Sequence, residues 1–121
     1  MKKIVFVVAL LASVISEAGV AEAGHKTGSW LNGNQLRQWC NEADIGLCMG
    51  YVVGVADAME AFHSYGKAFL DWRACIPNDV TRGQLMAVAK KFLNDHPEDL
   101  HLAAVGIVAQ SMVEAFPCCW N

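Results

Sequence analysis

The sequence predicts a small all-α bundle of four, or four to five, helices stapled by disulfides, and three observations carry that reading. Apolar residues recur at intervals of three and four along most of the chain, which is helical period, and no stretch alternates apolar with polar residues as a half-buried strand does. The five cysteines all lie beyond a leader-like N-terminus, in the part of the chain that would reach an oxidising space. No internal repeat or low-complexity tract interrupts the pattern.

The N-terminus sets the compartment. Lys2 and Lys3 precede an apolar run over residues 4–15 broken only by Ser13, and Ala21-Glu22-Ala23 supplies a small-x-small cleavage site. This pattern predicts a secretory signal peptide over residues 1–23 and a mature domain over residues 24–121. The run is shorter than the ~17 to 25 residues a spanning helix needs, so no membrane association is expected after cleavage. The net charge of −3 survives cleavage, because Lys2 and Lys3 leave together with Glu17 and Glu22. A mildly acidic domain with one adjacent basic pair, Lys90-Lys91, has no electrostatic footprint for nucleic acid. A mature domain of this size is near the limit at which one core suffices, and covalent staples become useful.

The elements follow in order. Residues 24–33 carry Gly, Thr, Ser and Asn around Trp30 and read as a loop or arm. Asn32 or Asn34 caps a first short helix with Leu36, Trp39 and Cys40 on one face. From about Asp44 a longer helix presents Ile45, Cys48, Val52, Val55, Ala56, Met59 and Phe62 as one stripe. Gly50 and Gly54 lie one turn apart on it. Glycine costs roughly 1 kcal/mol in a helix interior relative to alanine, so the pair predicts a groove for a neighbouring backbone. A membrane reading of that spacing fails on Asp57, Glu60 and His63. Residues 63–78 change character and read as a loop with a short helical turn. Thr81 and Gln84 form a capping box that opens a third helix with Leu85, Val88, Ala89 and Phe92 inward, ending near Asn94 because His96-Pro97 disfavours helix. The last helix begins after Pro97 or nearer His101, presents Leu102, Val105, Ala109, Met112 and Phe116, and stops at Pro117.

Catalytic and metal chemistry find little support. There is no C-x-x-C, and His25, His63, His96 and His101 form no ligand pairs with the cysteines, so neither metal nor cofactor is expected. A Cys75/His63 nucleophile would need a reduced thiolate, which an oxidising compartment disfavours. Asp57 and Glu60, three apart on one helix, read as a solvated face rather than an acid/base pair. No enzymatic activity is expected. The odd cysteine count leaves one thiol over, and sequence alone leaves the pairing of the others open. Trp39, Phe62, Phe92 and Phe116 fall on the stripes and are expected in the core. Trp30, Tyr65, Phe69, Trp72 and Trp120 fall outside them. Loops held by a rigid scaffold commonly carry binding residues, and residues 63–72 place Tyr65, Lys67, Phe69 and Trp72 just before Cys75; these four are the candidates for contacting a protein partner.

Several phrases also occur together: Leu36-x-x-Trp39-Cys40, then Cys48-Met49-Gly50-Tyr51-x-x-Gly54-x-Ala56-Asp57-Ala58, then Cys75-Ile76-Pro77-x-x-Val80-Thr81-x-x-Gln84-Leu85, then His96-Pro97 and Ala115-Phe116-Pro117-Cys118. In this order and spacing the chain resembles the Rap/Tai family of small periplasmic immunity proteins, which protect bacteria against cell-wall amidases delivered by type VI secretion. The resemblance spans residues 36–118. It implies an all-α fold, periplasmic location, no catalysis, and inhibition of a secreted amidase by blocking its active site, often as a homodimer. Its cysteine pattern matches at Cys40, Cys48, Cys75 and Cys118, with Cys40–Cys48 and Cys75–Cys118 the preferred pairing. Crossed pairings stay open, and Cys119, which departs from the pattern, is able to substitute for Cys118. The alternative reading is a periplasmic acid-stress chaperone, also secreted, helical and disulfide-bonded, which would expose apolar surface at low pH.

Overall fold

In the computed structural model the described residues are 29–42 and 44–119. The expected leader at 1–23, the first part of the arm and the Trp120-Asn121 tail lie outside them. The chain forms α1 (Gly33–Asn41), α2 (Ile45–Ser64), α3 (Arg82–Asp95), a 3-10 turn (Pro97–Asp99) and α4 (Ala104–Ala115). Among the described residues there is no strand, only two isolated bridges.

The starts of α1 and α3 have a local cause, whereas Asp44 before α2 and Ala103 before α4 make no side-chain cap bond. Asn32 caps α1: its side-chain oxygen accepts from the Gln35 amide at 3.0 Å, and the Gln35 side chain accepts from the Asn32 amide at 3.0 Å. Thr81 and Gln84 repeat the device at α3, at 3.2 and 2.7 Å. The third helix runs to Asp95, one residue past the expected end, before His96 caps it and Pro97 opens the 3-10 turn. The last helix starts later than its apolar spacing implied. Leu102 therefore precedes α4 and stands 43% exposed instead of lying on its buried stripe.

The stripe of α2 buries Cys48, Val52, Val55, Ala56 and Met59. Its two ends do not: Ile45 is 50% and Phe62 42% exposed, because the helix outruns the neighbours it packs on. The groove predicted at Gly50 and Gly54 is absent. Both glycines are exposed on the outer face of α2, and a Cβ built on either meets nothing within 4 Å.

The close approach occurs elsewhere, at Gly33. A Cβ there would stand 2.8 Å from the Leu100 Cα and 2.9 Å from its carbonyl oxygen. Around it the Gly33 amide donates to the Leu102 carbonyl (3.0 Å), Asn34 to Leu100 (2.9 Å), and Ala104 to Leu31 (2.9 Å). The start of α1 is thus sewn to the segment leading into α4. The third helix packs against α2 and α4, and α1 lies against α2 and α3. Reciprocal side-chain amide bonds between Asn41 and Asn94 (2.8 and 3.2 Å) tie α1 to the end of α3. Leu36, Val52, Leu93, Val108 and Met112 are fully enclosed; Ser111, the buried polar side chain, donates its hydroxyl to the Val108 carbonyl at 2.7 Å.

Disulfides join Cys40 to Cys48 and Cys75 to Cys118, leaving Cys119 as an exposed thiol. The first bridge is buried and joins the end of α1 to the start of α2. The second is more accessible and lies beside a backbone bond from the Cys75 amide to the Phe116 carbonyl (2.9 Å), so the Cys-Ile-Pro loop is held to the C-terminal tail twice.

Candidate binding surface

The surface begins where α2 stops. Tyr65 ends the helix and Gly66 follows at φ 68°, a left-handed position that glycine adopts without steric cost. The Lys67 amide donates back to the Phe62 carbonyl (2.9 Å) and the Gly66 amide to the His63 carbonyl (2.8 Å), the bond pair of a Schellman motif. The expected helical turn after residue 63 is replaced by this cap and a two-residue hairpin. Phe69 and Trp72 exchange both backbone bonds, at 3.1 and 2.8 Å, around Leu70 and Asp71. Leu70 has φ 49° and Asp71 φ 65°. Two positive φ values are what a tight hairpin of the I′ kind demands, and Asn-Gly is its usual occupant.

The Phe62 and Phe69 rings meet edge to face, centroids 5.4 Å apart, and so fasten the hairpin to the end of α2. Phe69 and Trp72 are half-buried and pack against the core. Tyr65 is 81% exposed, Leu70 61%, and Lys67 is exposed beside them. A shallow depression of about 220 Å³ is lined by Ala61, Phe62, Tyr65 and Lys67. Of the four candidates, Tyr65 and Lys67 therefore face outward, while Phe69 and Trp72 form the base that holds the tip. Phe62, expected in the core, joins the outer set because α2 carries it past the last buried turn. Leu70 was not a candidate: an isolated leucine in an irregular segment carries no periodic signal, and Leu-Asp does not announce a tight turn. The cap was legible in principle, since Tyr65-Gly66 directly after the apolar stripe is a helix-stop pattern.

A second group of polar residues lies after α3. His96 stacks on Phe92 (centroids 4.1 Å apart), and its Nδ1 is 3.0 Å from a Glu98 carboxylate oxygen. The bond to Glu98 raises the imidazole above its ordinary value, with Glu114 and Asp99 adding to the field. Glu98 is lowered, first by its own backbone amide and then by His96. His96, Glu98 and Asp99 bring one ligand-capable atom each within 4.8 Å of one another, a grouping that cysteine-based reasoning did not anticipate. A groove of about 260 Å³ beside it runs between α3 and α4, past Val88, Phe92 and Ser111. Lys91 and Asp95 are ion-paired on its rim. Cys75 lies in a disulfide, so no thiolate is available to an exposed His63, and Asp57 and Glu60 stand exposed on α2.

The family model of Rap1a immunity proteins matches residues 32–118, from the cap of α1 through both staples and the hairpin to the second cysteine of the tail bridge. The chain belongs to the Rap1a immunity protein family. No curated protein and no solved structure matches it. Membership makes this chain an immunity protein directed against a toxin effector, and a protein effector its partner. The tip carries two strongly exposed apolar side chains close together in sequence, Tyr65 at 81% and Leu70 at 61%, with Phe62 and Lys67 also exposed beside them.

Proposed function

We propose that this Rap1a family member is a periplasmic, non-enzymatic immunity protein that binds a peptidoglycan amidase effector of type VI secretion and occludes its catalytic cleft. One observation carries the choice of surface: Tyr65 and Leu70 stand 81% and 61% exposed on a segment whose backbone is fixed by a helix cap, a hairpin and a nearby disulfide. Isolated exposed apolar side chains are ordinary, but a group of them on a rigid frame is the form of an interface anchor. Occlusion needs no chemistry from the inhibitor. It needs a shape that excludes the wall peptide, and a prestapled loop loses little conformational freedom on docking.

The leader pattern at residues 1–23 supports export, with the mature domain starting at Gly24. The cysteine pairs fit an oxidising compartment. A second copy of the chain is the occupant proposed for the outer face of α2, where Gly46, Gly50 and Gly54 leave the helix smooth and Ile45 and Leu47 are each about half exposed. The test is capture of the effector from periplasm with the mature protein, followed by digestion of purified sacculi by the captured effector. The mature protein should abolish digestion at equimolar ratio, and Tyr65→Ala, which removes an exposed ring without touching the core, should weaken inhibition about 30-fold. Undiminished digestion with the parent protein would contradict the reading.

A further inference from the structure

Leu70 occupies a position for which its residue type is poorly suited, and nothing in the fold requires a leucine there. Its φ of 49° and that of Asp71, 65°, fall in the left-handed region, where a side chain crowds the following carbonyl. The residue is 61% exposed at the apex of the hairpin, so its side chain does not return the cost of that backbone by burial. The hairpin itself is over-determined from below: both Phe69–Trp72 backbone bonds are made, Phe69 is held by the Phe62 ring, and Phe69 and Trp72 pack on the core. Strained backbone maintained by its surroundings, with an apolar side chain displayed at its tip, is a pattern found at clamps and binding sites.

We propose that Leu70 is the specificity anchor of the binding surface: a preformed apolar knob that enters a nonpolar pocket of the effector. The inference rests on the proposed effector binding and adds to it the chemistry of the contact. A strained turn raises specificity in two ways. It fixes the direction of the leucine before docking, so little rotational freedom is lost, and it removes the freedom to remodel for a pocket of another shape.

The consequence is an opposition of stability and binding at one residue. Leu70→Asn places at the apex a side chain that tolerates the left-handed region, and Asp71→Gly relieves the neighbouring position while leaving the leucine displayed. Both variants should melt higher than the parent, by about 4 °C for Leu70→Asn. In the sacculus assay with the captured effector, Leu70→Asn should weaken inhibition about 30-fold, and Asp71→Gly should remain at least about 10-fold better than Leu70→Asn. Equal inhibition by Leu70→Asn and the parent would overturn the anchor, and so would an unchanged or lower melting temperature for Leu70→Asn. Failure of the parent itself to inhibit would overturn the effector reading, and this inference with it.

Discussion

Two regions of this domain place glycine and bulky residues in opposite ways. At the junction of α1 with the segment before α4, Gly33 sits where no Cβ fits, 2.8 Å from backbone, and three backbone bonds between the two segments close around it. At the tip beyond α2, Leu70 and Asp71 take a backbone that glycine would favour, and their surroundings are open. The junction has the small residue because space demands it. The tip keeps a large residue although the backbone disfavours it, which is intelligible if the side chain serves a partner. Close packing and exposed strain thus separate the part of the molecule that holds the fold from the part that is displayed.

The largest way to disturb the comparison is to cut the support under the tip. The Cys75–Cys118 bridge closes a separation of 43 residues, against 8 for Cys40–Cys48. In the chain-entropy view these closures are worth about 4 and about 2.6 kcal/mol. Cys75→Ala combined with Cys118→Ala should therefore lower the denaturant-derived stability by about 4 kcal/mol while Cys40–Cys48 remains intact by peptide mapping.

Glycine-to-alanine exchanges sharpen the contrast at a smaller scale. Gly33→Ala should destabilise by about 1–3 kcal/mol, because the Leu100 backbone cannot move aside. Gly54→Ala on the outer face of α2 should do the reverse, gaining about 0.5–1 kcal/mol in dilute monomer from helix propensity alone, since the added methyl meets nothing. Urea melts of both variants give the two signs directly. Matching signs would mean that the spaces at Gly33 and Gly54 are not those described.

The smallest effect belongs to the His96–Glu98 pair, which is exposed. Because the imidazole is raised from 6.5, its contribution is fully present below that value and disappears as pH rises through the raised one. Glu98, lowered from 4.5, contributes above its ordinary value and loses that contribution as pH falls through the lowered one. Glu98→Gln should melt slightly below the parent at about pH 5.5, and the gap should narrow by about pH 9, where the share from charged His96 is gone and the share from Glu98's own backbone amide remains.

The helical frame was legible in the sequence because caps and stripes are local. Asn32 with Gln35, Thr81 with Gln84, and the run Cys48 to Met59 state their structure in neighbouring residues. The pairing of the cysteines agreed with the family-like pattern. The glycines were misread, because what fills the space beside a glycine is decided by segments distant in sequence: Leu100 reaches Gly33, and nothing reaches Gly54. The candidate site was half legible. Irregularity and aromatic content marked residues 63–72, but which rings turn inward and which residue occupies the apex depend on a hairpin whose turn residues, Leu70-Asp71, break the usual composition rule.

The most direct test of the central claim is hydrogen exchange of the mature protein with and without the amidase effector, resolved by peptide. Slowed exchange confined to residues 61–73, with the amides around Gly33 and Leu100 unchanged, is the result expected if the displayed tip fills the enzyme's cleft. Protection centred on the Gly33 junction, or on the groove between α3 and α4 with the tip unaffected, would contradict it.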